Sequence, residues 1–456
     1  METAVKMLSR FVCHTRYETL PETVVSCVKE RIIDIMSAAM AGASLWEKSG
    51  EIIKTAKDME LAGNSTVIGR NVTVSFPAAA AINCAYAHSV ELDDGHKNAG
   101  IHAGAVVVPT ALSLAEKIGV GGSEVIAAIV VGYEVAYRFA VSMSPLMIEN
   151  GYHPSAICGT MGAAAAAASI MKLDCRQTAE ALSLSALFAS GTMEATHSGQ
   201  SAKGAMVGHA AFAGINAAVM AKNGFVGPHA PFSGASGLFK IIAGGNVDVE
   251  KMLKRIGEEY WIKDTYVKLY PTCRHTHAPI EGAIAICSEN DVEWSDIAKA
   301  EIGTYPIAYQ LTGAEELPSD TQRARFSTRY CVASAMLNRS FGIADLKDDN
   351  LRDERRRRLS GLVRVYIDDE VTREFPQRRG ARIRIELANG KAFEKTLYDL
   401  KGAPENPVDF ADLCSKFENM ASATLSKVMI EKICEEVANL ERLRDIRAFI
   451  SLTKSA

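Results

Sequence analysis

From the first residues to about position 265, apolar side chains recur every three or four positions or fill whole segments with small residues. No run alternates over more than a few residues, so the period is that of helices and not of strands. Val24, Val25, Val28, Ile32, Ile33, Ile35 and Met36 make one amphipathic stripe, with Pro21 just inside its expected start. Further helices are expected over 77–89, 105–118, 122–142, 159–171, 176–189 and 204–223. Glu134 and Arg138 are four apart on one of them and so share a face. Six consecutive alanines at 163–168 permit close helix–helix approach. Residues 62–76 are turn-rich, with a short extended piece at most.

The pattern changes near Tyr266. A helix is expected over 280–289, a strand over 300–305 and a helix over 325–338. The runs 362–368 and 381–397 alternate; in the second, Ile383, Ile385 and Leu387 face one way and Asn389-Gly390 is a hairpin turn signal. From about 407 the helical period returns. The expected fold is therefore mainly α. A large all-helical domain spans 1–265 and is completed by helices over 405–456, while 266–404 form a smaller α+β domain. A length of 456 residues exceeds what one core usually serves.

Composition narrows the function. A net charge of −4, from 50 basic and 54 acidic residues, argues against nucleic acid or a membrane surface as the main partner. Ten cysteines without a C-x-x-C pair read as reduced thiols of a cytoplasmic protein. The start, METAVKMLSRFV, lacks the features of a signal peptide. The richest apolar run, Ser155 to Met171, has 17 residues of mainly Ala and Gly and reads as a packed interior helix, too short for a membrane span. No phosphate loop, dinucleotide fingerprint or G-x-S-x-G elbow occurs. His275 and His277 lack a third ligand at metal-site spacing, so no metal is expected. Arg355 to Arg358 read as a solvated helix face.

Chemistry concentrates in HSVELDDGHKNAGIHAGAVVVP, residues 88–109. His88, Glu91, Asp93, Asp94, His96, Lys97 and His102 fall within fifteen positions, and Gly100 and Gly104 favour a loop in which they converge. Burial and mutual charge can drive such groups to different pKa values. Other breaks between helices carry His153 (before Pro154), Lys203, and Lys268, Cys273, Arg274 and His277 in KLYPTCRHTHAP. Cations and acid/base groups held in one cavity would suit a small anion with several carboxylates. An Asp or His would take the proton next to a carboxylate, and a second His would return one. A non-catalytic polycarboxylate-binding protein is the alternative of a different class.

These stretches carry a resemblance. ELDDGHK with HAGAVVVPTAL, GYHPSAICGTMGAAAAAA at 151–168, SGQSAKGAMVGHAA, KLYPTCRHTHAPIEG at 268–282 and KGAPENPVD at 401–409 resemble the MmgE/PrpD family, in order and over nearly the whole chain. That family includes 2-methylcitrate dehydratase, cis-aconitate decarboxylase and iminodisuccinate epimerase. The resemblance implies a homodimer that works without cofactor, whose active site lies between a helical domain and an α+β lid. It matches Asp93, Asp94, His102 and His153 to catalytic positions, with Cys273 at the place of a family histidine, and Lys203, Lys268 and His277 to substrate-binding ones; the residues themselves add His96 and Arg274 to the substrate-binding candidates. Decarboxylase-like members carry a histidine where Cys273 stands and D-x-D-D-T where this chain has Glu91-Leu92-Asp93-Asp94-Gly95. Dehydratase-like members have a Trp-rich loop that this chain lacks. The expected activity is a lyase acting on a small di- or tricarboxylate, with a 2-methylcitrate dehydratase-like hydro-lyase first. Epimerase-like and decarboxylase-like outcomes are the alternatives.

Overall fold

The structure is a computed structural model and describes residues 4–198, 201–313 and 317–455; within the polar break, Gly199, Gln200 and the side chain of His197 lie outside the described residues. The chain forms two compact units. One runs to Val267 and resumes over Asp409–Ala456; the other is Lys268–Val408.

The first unit is helical. Helices α1 (Ala4–His14), α2 (Glu22–Leu45) and α3 (Ser49–Asp58) precede a two-residue antiparallel pair, β1 (Ser65–Thr66) with β2 (Thr73–Val74). Then come α4 (Phe76–Ser89), β3 (Gly95–His96), α5 (Ala103–Ile118), α6 (Gly122–Met143), α7 (Pro154–Ile170), α8 (Cys175–Phe188) and α9 (Ala202–Lys222). Strand β4 (Thr265–Tyr266) pairs antiparallel with β3 and so ties the end of this part to the acid/base loop. Helix α7 starts where Pro154 takes the first helical position and His153 stays extended before it (φ −86°, ψ 114°). Its alanines are buried, and close approach requires Gly214 on α9: a Cβ there would stand 2.5 Å from that of Ala163 and 2.6 Å from the Thr160 carbonyl.

The stripe expected on α2 broadens into burial on every side from Arg31 to Ala43. This helix packs against α4 and α5 and against the returning C-terminal helix Phe410–Ala421, so it has no solvent face there. Among the described residues two helices, Gly122–Met143 and Ala202–Lys222, are long and apolar enough to cross a membrane; 89% and 61% of their apolar windows are buried inside the protein.

The second unit is α+β. Its helices α10 (His277–Glu289), α11 (Thr328–Asn338) and α12 (Glu354–Leu362) accompany a four-stranded sheet of order β6-β5-β7-β8. Strand β5 (Ile297–Thr304) runs parallel to β6 (Val363–Ile367) and antiparallel to β7 (Ala381–Leu387), which forms the expected hairpin with β8 (Ala392–Leu397). Gly390 takes the positive φ of +82° that the turn demands. Val363, Val365, Ile383 and Ile385 meet Ile280, Ala283 and Ile286 of α10 in one core. Helix α11 starts later than the spacing suggests because Ser327 caps it, accepting from the Tyr330 N–H at 3.3 Å. Of the four arginines at 355–358, Arg356 departs from the solvated-face reading: it is buried on Asp345 and Asp353, each at 2.8 Å. The chain then returns to the helical unit as α13 (Phe410–Ala421) and α14 (Lys427–Ala438).

The expectation of ten reduced thiols is corrected at two positions. Cys13 and Cys175, 162 residues apart, are joined in a disulfide; helix packing brings α1 against α8, which spacing along the chain does not reveal.

Candidate active site

The acid/base loop starts where α4 ends. His88 sits in the last turn of α4 and its Nδ1 donates to Asp93 Oδ2 at 2.6 Å, with both side chains fully buried. Between them Glu91 takes a left-handed backbone (φ +56°), a strained conformation for a residue with a Cβ. The Glu91 carboxylate meets the Lys203 ammonium, near the start of α9, in a buried ion pair.

The loop closes at His102, the residue before α5. Its Nδ1 lies 2.6 Å from the Asp94 carbonyl oxygen, which can only accept. Nδ1 therefore carries the proton and Nε2 is the basic nitrogen of the neutral ring. The same Nδ1 is 3.6 Å from Asp93 Oδ2, so an imidazolium at His102 would be stabilised by that carboxylate. The His102 N–H donates to Ser155 Oγ at 3.0 Å, which ties the loop to the first turn of α7.

His153, just before α7, completes a cluster. Ring centroids of His88 and His102 are 5.3 Å apart, and those of His88 and His153 are 5.7 Å apart. Burial, then the positive charges of Lys203 and His88, hold the His153 pKa well below the usual imidazole value. His153 is neutral at pH 7, and its buried Nδ1 has no hydrogen-bond partner among the described residues.

Asp94 does different work from Asp93. Its Oδ2 accepts from the Tyr133 hydroxyl at 2.5 Å and its Oδ1 from the Gly104 N–H at 3.1 Å. Burial pushes its carboxyl up to about 7; Asp34 and Asp93 add to that rise, while Arg31 and Tyr133 oppose it. Gly104 is required here, since a Cβ would stand 2.3 Å from the Tyr133 oxygen and 2.6 Å from either Asp94 oxygen. Behind the loop, Lys416 of α13 donates to Asp34 Oδ1 of α2 at 2.6 Å and to the Leu92 carbonyl at 2.9 Å. Arg31, one turn before Asp34, donates to the Thr265 carbonyl at 3.2 Å. Burial alone would lower the Arg31 pKa, but the charges of Asp34, Asp94 and Glu30 outweigh it. His96 is placed in an aromatic layer with its ring centroid 4.5 Å from Tyr137 and 6.3 Å from Trp261, and the Tyr133 ring packs edge-on to Tyr137 in that layer.

In the second unit, Cys273 precedes a short turn over Arg274–Thr276, and its N–H donates to the Arg325 carbonyl at 3.0 Å. Buried Arg274 donates to His277 Nδ1 at 3.1 Å, so the His277 proton sits on Nε2. His275 Nδ1 pairs with the Tyr305 hydroxyl at 2.6 Å instead. Burial, then the charges of Arg379, Lys268 and Arg274, lowers the His275 pKa to about 3. The two neighbouring histidines thus commit Nδ1 to different partners.

A family model described as the MmgE/PrpD N-terminal domain matches residues 6–250, and one for the MmgE/PrpD C-terminal domain matches 270–442. The chain belongs to the MmgE/PrpD family. Among similar proteins, a cis-aconitate decarboxylase of Aspergillus terreus is 24% identical, covering 97% of this chain and 94% of its own length. A cis-aconitate decarboxylase-like protein of Aspergillus oryzae is 25% identical over 98% and 96%. The human cis-aconitate decarboxylase is 25% identical over 95% and 91%.

Within this MmgE/PrpD chain, the helical unit gathers Asp93, His102 and His153 from the sequence-derived candidates and sets Lys203 on Glu91 beside them. It separates the Asp93/Asp94 pair: Asp93 faces imidazoles, whereas Asp94 anchors the loop. Reasoning from the sequence left out His88 and Glu91 as site residues, though both stand in the quoted motif, five and two positions before Asp93. It also left out Tyr133, Arg31, Asp34 and Lys416, for which the sequence carries no local signal.

Proposed function

We propose that the chain is a lyase acting on a small di- or tricarboxylate, breaking a bond at a carbon next to a carboxylate without metal or organic cofactor. The observation that carries this is the Asp93-centred imidazole cluster with the Lys203–Glu91 pair beside it. His102 takes the proton at Nε2, and Asp93 stabilises the resulting imidazolium, the logic of a base held by a third group. Lys203 meets a substrate carboxylate and offsets the charge that spreads into it as the carbon loses its proton. His153, neutral at pH 7, accepts a proton or donates a hydrogen bond, so the returning proton comes from His102. Asp94 keeps its place in the proposal as the anchor that aims His102. Lys268, Cys273 and His277 enter as site residues on the family resemblance, and His96 and Arg274 on their place in the polar breaks of the sequence.

In the hydro-lyase outcome, the electron pair left on carbon forms an alkene as hydroxide leaves with the proton. In the carboxy-lyase outcome, the C–C bond to a carboxylate breaks, CO2 leaves, and the electron pair which that bond leaves on carbon takes the proton carried by His102, which acts there as acid. The names of the matched relatives favour the second; Cys273, where decarboxylase-like members carry histidine, favours the first. A homodimer and a cytoplasmic setting belong to the same proposal.

The test is a panel of di- and tricarboxylates in deuterated water. Alkene absorbance reports dehydration, CO2 release reports decarboxylation, and deuterium entering an unchanged skeleton reports epimerisation. Thermal stabilisation by the panel with neither turnover nor exchange would leave a binding protein and end the lyase reading.

A further inference from the structure

The helical unit carries a second concentration of ligating atoms, made by residues that belong to no part of the imidazole cluster. Cys13 and His14 end α1, and Cys175 opens α8. The two sulfurs are bonded, His14 Nε2 lies 3.8 Å from Cys175 Sγ, and the three ligand atoms fall within 4.8 Å of one another. A tetrahedral zinc with Zn–S near 2.3 Å and Zn–N near 2.05 Å has an S···N edge of about 3.6 Å and an S···S edge of about 3.8 Å. The imidazole therefore already stands at the edge length of such a site, and only the sulfurs must part.

The backbone on both sides is held. Asp174 and Gln177 form a reciprocal capping box that fixes the start of α8 at Cys175. Arg16 Nη1 donates to the carbonyls of Cys13 and Thr15, at 2.8 and 2.9 Å, fixing the end of α1. A cavity of about 430 Å³, lined by Cys13, Arg16, Tyr17, Glu124 and Lys172, opens beside the sulfur. A second, of about 420 Å³, reaches His14. Neither contains a residue of the imidazole cluster.

We propose that Cys13, His14 and Cys175 form a site for a soft divalent cation of the zinc type when reduced, with water as the fourth ligand, and that the disulfide is its metal-free alternative. A dithiol reductant supplies two electrons and two protons, becomes a disulfide itself and leaves two thiols. The cation then displaces both thiol protons and is bound by two thiolates and the His14 nitrogen, with no change of oxidation state. Oxidation by a small-molecule disulfide reverses this: two electrons leave the thiolates, the S–S bond forms and the ion is released.

Cobalt(II) is the probe, because thiolate ligation gives a near-ultraviolet charge-transfer band, and zinc should displace it. The reduced protein should take up one equivalent with the band, and the oxidised protein none. Serine at both Cys13 and Cys175 should reduce the band to that of the oxidised protein, whereas Cys175→Ser alone leaves one thiolate and should weaken it. His14→Ala, which leaves the disulfide able to form, should weaken binding by more than the roughly 10–100-fold typical of an outer-shell loss. A reduced protein without the band, equal uptake by both redox forms, or a full-strength band when both cysteines are serine would overturn the proposal. The redox comparison uses the native chain, so it stands even where the serine variant does not fold.

Discussion

Replacing Tyr133 by phenylalanine removes one oxygen from the interior and leaves a pH signature. The Tyr133 hydroxyl donates to Asp94 Oδ2 at 2.5 Å, and both residues are fully buried. In the variant Asp94 keeps only the Gly104 N–H on its other oxygen. A hydrogen bond to a neutral carboxyl contributes about 0.5–1.5 kcal/mol and one to a carboxylate about 1.5–3 kcal/mol, so the loss depends on the charge of Asp94. That charge changes near pH 7, because burial first, then Asp34 and Asp93, raises the carboxyl to about 7 while Arg31 and Tyr133 hold it down. An unfolded aspartate titrates near 3.9, so the native state binds the extra proton between there and about pH 7. The stability this group contributes is full at low pH and falls as pH rises through the folded value. Without Tyr133 the folded value moves higher still, and the falling limb extends upward by about 1.4 kcal/mol per unit. Urea unfolding of Tyr133→Phe should therefore show a deficit of about 1 kcal/mol at pH 5.5, widening to about 2–3 kcal/mol at pH 8.5. A deficit equal at the two pH values, or absent from both, would refute the assignment of Tyr133 as the donor that tunes Asp94.

His102→Gln keeps a side-chain donor but lacks a basic nitrogen; turnover of the panel substrate should drop about 10²–10⁴-fold with an unchanged circular dichroism spectrum, and full activity would remove His102 from the base role. Lys416→Met leaves Asp34 buried without its cation and should cost about 3–5 kcal/mol in a melt, part of which Asp34→Asn should restore in the double variant; a tolerated single variant would show the pair to be dispensable. Gly104→Ala should lower stability and activity together, since the added Cβ meets Tyr133 and Asp94 at 2.3–2.6 Å; native-like kinetics would contradict the close approach. The His275 imidazole, lowered to about 3 by burial and by Arg379, Lys268 and Arg274, stays unprotonated where an unfolded one near 6.5 takes a proton. Stability should thus fall as pH drops from about 6.5 towards 3, and His275→Asn should flatten that slope in acid unfolding curves.

Much of this molecule could be read along the chain because helix and hairpin periods are local. The alternation at Ile383 and Ile385 and the turn at Gly390 needed only neighbours to be interpreted, and the small residues of 163–168 announced a close-packed interior helix. The motif from His88 to His102 likewise announced a site, since its own acid/base residues fall within fifteen positions. Packing settled what lay beyond that reach. Asp34 meets Lys416 across 382 positions, and Cys13 meets Cys175 across 162. No periodicity encodes such partners, because each pair depends on which helix faces come to lie together. The division of labour between Asp93 and Asp94 has the same origin. Adjacent and chemically identical in the sequence, they part company because one carboxylate turns towards imidazoles and the other towards Tyr133 and the backbone at Gly104.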